Sequence, residues 1–335
     1  MSHNSKNIAV LGAGSWGTAL AMLLASNQHN VNLWAHSASH ATVMQQDNEN
    51  KRYLPGLSFP ATLNVFSDIT EALANVSEIL VVVPSHAFRS TLEKLKPHLQ
   101  QSHRLAWATK GLEAESYKLL HQVAREVLND EIPLAVVSGP TFAKEVAQGL
   151  PGAVTVASNN NDFALDWAHL LHNDHFRAYT GDDVVGVEIG GACKNVIAIA
   201  AGIADGMGFG ANARAALIAR ALSEITRLGT SLGAKAETFT GLTGLGDLVL
   251  TCTDDQSRNR RTGIGLGAGK ELDAVIKEIG QVVEGVSTAK EVVALAKKQN
   301  IKMPITEQVY NVLYEGASPQ SAVNALFNRT IKKES

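Results

Sequence analysis

A single lysine stands in the stretch GGACKNVIAIAAGIADG, which begins at Gly190. Its neighbours are glycine, alanine and isoleucine, and lysine is almost never buried without a partner or a task. On a helix, residues three or four apart share a face, so Lys194 lies beside Gly190, Gly191, Ala198 and, a turn further, Ala201. The stripe that carries the amine is therefore nearly bare of side chains. Either another helix packs into it while the amine snorkels to water, or a flat ring and a small substrate come close. In the second case an ammonium can stabilise negative charge on an oxygen and then give it a proton.

The stretch IAVLGAGSWGTALA favours the second case. It holds Gly12, Gly14 and Gly17 in a G-x-G-x-x-G pattern that follows an expected strand and opens an expected helix. Gly12 permits a tight turn, Gly14 lets the backbone approach a pyrophosphate, and Gly17 lets helix and strand pack closely. The helix start then offers unpaired N–H groups and partial positive charge to the phosphates. A bound nicotinamide would supply hydride, and Lys194 the proton. In the reverse direction a neutral amine must take a proton, which lysine, ordinarily at about 10.4, does reluctantly. Burial and a second cation, for which Lys110 in WATKGLE is a candidate, lower that value; an adjacent carboxylate acts oppositely. After the second expected strand, VNLWAHS, no carboxylate occurs until Asp47. His36 and Ser37 stand where an NAD-specific site usually has Asp or Glu, so NADP is expected to be accepted or preferred; a surface role for His36 is the alternative.

A third candidate runs from Thr240 to Gly263, TGLTGLGDLVLTCTDDQSRNRRTG. Asp247 follows a glycine-rich turn. Ser257 suits a helix N-cap, and Arg258 and Asn259 offer donors for phosphate oxygens. By composition alone this is also a solvated basic loop balanced by Asp254 and Asp255. His169, His172 and His175 are spaced by three and could share part of a helix face; an exposed polar face is expected there, with no metal. Cys193 points about 100° from Lys194 on a helix and is expected to pack.

The elements that must position these residues follow from periodicity. NIAVLGAG, VNLWAH, EILVVVPS, RLAWATKG, LAVVSGP and AVTVAS are β-branched runs alternating with helical patterns. Near-continuous apolar strands imply a mainly parallel sheet covered on both faces, the Rossmann-like α/β arrangement. From about Asp182 the strand signals stop and Ala-rich helices follow. The expected domains are 1–185, dinucleotide-binding, and 186–335, all-helical and substrate-binding, joined by a long helix from near Asp182. With 335 residues, two domains are the natural expectation. Lys+Arg 29 against Asp+Glu 32 gives no electrostatic reason for nucleic acid or an anionic membrane as partner. No run of about 18 uninterrupted apolar residues suggests a membrane span, and MSHNSKNIAVLG does not read as a secretory signal. Two cysteines are too few for a disulfide framework and suit the cytoplasm.

Over essentially its whole length the chain resembles the bacterial NAD(P)-dependent glycerol-3-phosphate dehydrogenases. The resemblance rests on VLGAGSWGTALA, VVVPSHAFR, ATKGLE, SGPTFAKEVA, GACKNVIAIAAGIADGMGFGANARAAL, GLGDLVLTCTDDQSRNRRTG, GQVVEG and MPITEQVY. It implies reversible reduction of dihydroxyacetone phosphate to sn-glycerol 3-phosphate, the backbone of membrane phospholipids, with NADP(H) or NAD(H) and no metal. By the same resemblance Lys194 matches the proton acceptor. Lys110, Gly139, Thr141, Asp247, Ser257, Arg258 and Asn259 match positions lining the substrate. Ser15, Trp16, His36, Lys110, Ala143, Arg258, Val282 and Glu284 match cofactor contacts. The residues fit this: Arg258 and Lys110 bring charge for a dianion, and Gly139 in SGPTF lets backbone N–H groups approach. Glu284 also reads as an acidic residue before a helix, since Thr288 and Glu291 in STAKE have capping-box spacing. The rivals are a hydroxyacid dehydrogenase or ketopantoate-type reductase, and a dinucleotide sensor without catalysis. The reductases resemble a pattern with lysine and asparagine four apart, whereas Asn195 directly follows Lys194 and Ala198 stands four on. A sensor would need neither Lys194 nor the Arg258–Asn259 pair. A homodimer through the Ala-rich helices is a further expectation.

Overall fold

Along the first strand Ile8 and Val10 face one way and Ala9 and Leu11 the other, and all four are fully buried. A strand covered on both faces belongs inside a doubly wound sheet. The structure, a computed structural model, describes residues 5–129, 132–330 and 333. Its chain divides into two compact units: the first runs to Glu188 but omits Ala114–Tyr117, which group with the second, from Ile189 onward.

The first unit holds one eight-stranded sheet: β1 (Asn7–Leu11), β2 (Asn30–Trp34), β3 (Leu63–Phe66), β4 (Glu78–Val81), β5 (Arg104–Trp107), β6 (Leu134–Ser138), β7 (Gly152–Ser158) and β8 (Phe176–Gly181). Their order is β3-β2-β1-β4-β5-β6-β7-β8. All neighbours pair in parallel except β6 and β7. The chain reverses its winding between β1 and β4, and in such sheets that switch point opens a crevice at the strands' carboxyl ends. Six strands are the ones expected from sequence. β3 and β8 are additional, and both are edge strands. Along β8 only Phe176 is buried, and Arg177, Tyr179 and Thr180 face outward, so continuous apolar character is missing there.

The second unit is helical. From Ile189 the helix Val184–Gly206 belongs to it, followed by Ala211–Ser231, Ala236–Thr240, Asp247–Thr253, Arg258–Gly267, Leu272–Ile279, Glu284–Lys298, Pro304–Tyr314 and Pro319–Phe327. Val184–Gly206 is long and apolar enough to cross a membrane, a property its interrupted apolar run did not suggest. Yet 89% of the qualifying stretch is buried within the protein, as in a core helix. The capping box expected at Thr288 and Glu291 is absent. The helix starts a turn earlier, at Glu284, and leaves both residues buried mid-helix at 1% and 3% exposure.

Candidate active site

In the first unit the glycine turn is built as its spacing demands. Gly12 has φ +124°, and a Cβ there would lie 2.3 Å from the Val82 carbonyl oxygen at the end of β4. A Cβ on Gly17 would meet the Gly12 oxygen at 1.9 Å. Gly14 is different: nothing lies within 4 Å of its missing Cβ. It caps the helix Ser15–Ser26 with no side-chain hydrogen bond to the first turn. The turn therefore leaves open space at Gly14, over a helix N-terminus that no side chain caps, a cradle that fits a pyrophosphate. Trp16, half-buried in the same turn, has a buried Nε1 with no hydrogen-bond partner.

The other first-unit candidates follow the same strand ends. His36 is exposed, two residues after β2, and Ser37 caps the next helix by accepting from the His40 N–H at 3.3 Å. Lys110 is half-buried just after β5. Gly139 follows β6, where a Cβ would meet the Ala153 oxygen at 2.7 Å. Thr141 Oγ1 donates back to the Gly139 oxygen at 3.3 Å, and Ala143 opens the helix Ala143–Ala147. Ser15 Oγ donates to the Tyr53 oxygen at 2.8 Å. Asn50, fully buried, had not been expected here. Its Nδ2 donates to the Ala13 oxygen at 3.0 Å and to Thr18 Oγ1 at 2.8 Å, tying a distant segment to the glycine turn.

In the second unit Lys194 is 7% exposed. Its Nζ donates to Asp247 Oδ1 at 2.6 Å and to Thr251 Oγ1 at 2.9 Å. Asp247 is fully buried, so ammonium and carboxylate offset each other's desolvation. The small-residue stripe is filled by backbone. A Cβ on Gly190 would lie 2.5 Å from the Thr243 oxygen, inside a π-helical turn, Leu242–Gly246, that runs into the Asp247–Thr253 helix. Four residues further along the stripe from Ala198, Gly202 admits the Arg258–Gly267 helix. The packing alternative is thus realised along the stripe, but the amine does not snorkel; it is held by a carboxylate and a hydroxyl. Thr251 sits one turn after Asp247 and shares its face, a spacing visible in sequence but not used.

A second string of polar contacts adjoins this pair. Asn195 Nδ2 donates to Glu284 Oε2 at 3.3 Å, Asn259 Nδ2 to Asn195 Oδ1 at 2.9 Å, and the Gly285 N–H to Asn259 Oδ1 at 2.9 Å. Asn195, which follows Lys194 in sequence, had not been assigned a part. Ser257 caps the helix Arg258–Gly267, accepting from the Arg260 N–H, so the basic segment is ordered helix rather than loop. Arg258, half-buried, donates to Gln281 Oε1 at 3.2 Å, and Val282 is exposed. Burial pushes the thiols of Cys193 and Cys252 up to about 12, which suits packing rather than nucleophilic chemistry. The three histidines do not share a helix. His169 is in the last turn of Asn161–Leu171, His172 is its C-cap and His175 lies beyond, all exposed. Among the described residues no group of three or more His, Cys, Asp or Glu could hold a metal ion.

A glycine turn suited to phosphate at the switch point of a mainly parallel sheet, followed by a helical unit with a buried lysine–carboxylate pair, defines a dinucleotide-binding oxidoreductase. Comparison with known proteins narrows this. Residues 7–164 match the NAD-dependent glycerol-3-phosphate dehydrogenase N-terminus, and residues 183–324 the C-terminus of the same family. A glycerol-3-phosphate dehydrogenase (NAD(P)+) from Shewanella sp. (strain MR-4) is 55% identical over 332 residues, 99% of this chain and 98% of that protein. One from Aeromonas hydrophila is 56% identical over 328 residues, covering 98% of each. The crystal structure of glycerol-3-phosphate dehydrogenase from Coxiella burnetii superposes with a TM-score of 0.94 at 49% identity, covering 97% of this chain and 99% of that one. The chain belongs to the NAD-dependent glycerol-3-phosphate dehydrogenase family. A ketopantoate reductase from Ralstonia eutropha, at TM-score 0.60 and 17% identity, shares the fold alone.

Proposed function

We propose that this chain reversibly reduces dihydroxyacetone phosphate to sn-glycerol 3-phosphate with NADPH or NADH, feeding glycerophospholipid synthesis, and that Lys194 is its general acid and base. The buried Lys194–Asp247 contact of 2.6 Å carries this reading. The glycine turn suits the pyrophosphate, with Ser15, Trp16, His36, Ala143, Val282 and Glu284 as further cofactor contacts. When bound, the reduced nicotinamide supplies a hydride to the carbonyl carbon. Lys194 stabilises the charge that grows on the carbonyl oxygen and gives it a proton; in the oxidative direction the amine takes that proton back. Asp247 and Thr251 fix Nζ, so the donor needs no reorientation as charge develops. Arg258, Lys110 and Asn259, with the backbone around Gly139 and Thr141 and the Ser257 cap, suit the dianionic phosphate end.

The test follows NADPH oxidation with dihydroxyacetone phosphate, ketopantoate and a small keto acid. Wild type is expected to use only the first. Lys194→Ala is expected to lose about 10² to 10⁴ in kcat. A fully active Lys194→Ala removes the amine from the mechanism, and turnover of ketopantoate instead moves the chain's substrate to the reductase rival.

Two outer features extend the proposal. Ala211, Ala215, Ala216 and Ala219 form an exposed small-residue face on the helix Ala211–Ser231, which supports a homodimer; light scattering reading a monomer at assay concentration removes it. The two free, buried thiols suit a cytoplasmic enzyme, which cell fractionation tests.

A further inference from the structure

Where two helices touch through glycines, the bare backbones do little to fix how one slides along the other. Val184–Gly206 and Arg258–Gly267 approach each other closely at four glycines. A Cβ at Gly202 would lie 2.0 Å from the Arg260 carbonyl oxygen, and one at Gly206 would lie 2.3 Å from that of Ile264. From the other side, a Cβ at Gly263 would meet the Ile199 oxygen at 2.1 Å, and one at Gly267 the Ile203 oxygen at 2.3 Å. Backbone touches backbone, with no side-chain knob seated in a hole at these four positions.

Polar pins must then set the register. Asn259 donates to Asn195 at 2.9 Å, and Arg260 Nη2 donates to Asp205 Oδ2 at 2.7 Å. Asn259 and Arg260 are adjacent, whereas Asn195 and Asp205 are ten residues apart on one helix, about 15 Å along its axis. Two pins reaching toward opposite ends of the longer helix fix both the translation and the rotation of the shorter helix's first turn. Asp205 is itself anchored, accepting from Arg214 Nη1 at 2.9 and 3.0 Å. Arg260 also pairs with Asp255.

Stability is a poor explanation for this arrangement. Arg260 is 8% exposed, and its buried Nε has no hydrogen-bond partner. Desolvation largely offsets the attraction in such a pair, so its value lies in placement. We propose that Arg260, clamped by Asp205, is a positioning residue for the phosphate end of the substrate: it holds the helix start so that Arg258 and Asn259 present their donors together. This rests on the reading above that Arg258 and Asn259 bind substrate.

The test compares wild type, Arg260→Lys, Asp205→Asn and Arg258→Ala as full-length proteins, with dihydroxyacetone phosphate varied at saturating NADPH. Arg260→Lys keeps the charge and loses the planar fork; Asp205→Asn keeps the shape and loses the charge. Both are expected to raise KM for dihydroxyacetone phosphate about tenfold, as a modest misplacement of binding groups does, and to leave the pH profile of kcat where it is in wild type. A merely structural pair would lower apparent kcat through a lost active fraction and leave KM alone. Folded variants with KM within about twofold of wild type overturn the proposal. If both variants fail to fold, the pair is structural and the proposal is likewise lost. Arg258→Ala separates the two levels: if it leaves KM unchanged, the substrate assignment itself fails, whereas a raised KM there beside unchanged Arg260 and Asp205 variants removes only the positioning role.

Discussion

Glu224 is a carboxylate whose titration the fold has moved. It lies in the helix Ala211–Ser231, 3% exposed, and caps the helix Pro304–Tyr314, accepting from the Ile305 N–H at 2.9 Å and the Thr306 N–H at 3.4 Å. Burial pushes its carboxyl from 4.5 up to about 7, against the lowering effect of those N–H groups and of Arg227 and Arg329. Between these values the folded protein holds a proton that the unfolded chain does not. That proton's contribution is fully present below about 4.5 and is lost as pH rises through about 7. At ~1.4 kcal/mol per pH unit, the gap is worth roughly 3 kcal/mol. Glu224→Gln keeps an oxygen to accept from both N–H groups and cannot ionise. The free energy of urea unfolding, measured for both proteins from pH 4.5 to 8, should therefore diverge. The glutamine variant is expected to gain roughly 3 kcal/mol on wild type across that range, since all other titrating groups cancel in the difference. Two curves that stay parallel within about 0.5 kcal/mol would refute the placement of an ionisable, desolvated carboxyl at this cap.

The remaining expectations concern the site. Gly14→Ala has open space for its methyl and an ordinary φ of −80°, so its melting temperature should match wild type while dinucleotide affinity, read by fluorescence titration, falls at least about tenfold. Gly17→Ala puts a methyl 1.9 Å from a carbonyl oxygen and should lower both; equal behaviour of the two variants would contradict their different roles. Thr251→Val removes one of the contacts to Lys194 Nζ and should cost about tenfold in kcat with the fold intact, and an unchanged kcat would mean that Thr251 does not position the amine. His36→Asp should shift the ratio of Michaelis constants toward NADH by at least about tenfold, because a carboxylate repels a 2′-phosphate; an unmoved ratio places the cofactor choice elsewhere.

Much of this site is local in sequence, and that part was legible. Gly12, Gly14 and Gly17 share one turn of six residues whose positive φ at Gly12 and close approach of Gly17 to the Gly12 oxygen are local, so their spacing carried the information even though Gly12 also packs on Val82. Lys194 stood out as a charge in an apolar helix. Asp247 stood out too, but its contact with Lys194 and the part of Thr251 did not, because these residues lie 53 and 57 positions away and only packing brings them together. The edge strands β3 and β8 lacked apolar continuity because each has one side without a neighbour. Thr288 and Glu291 imitated a helix start because their spacing fits one, while tertiary packing had already begun the helix at Glu284. Asn50 gave no signal at all: an amide becomes informative only once the glycine turn that it grips is in place.

The π-helical turn at Leu242–Gly246 has a consequence for how this lineage can vary. A deletion of one residue there would let the turn relax to ordinary α-helical winding. A π turn spends one residue more than an α turn on a single revolution, so the later residues of the continuing helix would keep their direction around its axis. Asp247 and Thr251 would still face Lys194, and what would be lost is the widened loop of backbone whose Thr243 carbonyl packs on Gly190. Loss of one residue in this short segment should accordingly spare the direction of the amine's partners and be felt instead in how closely the two helices approach at Gly190.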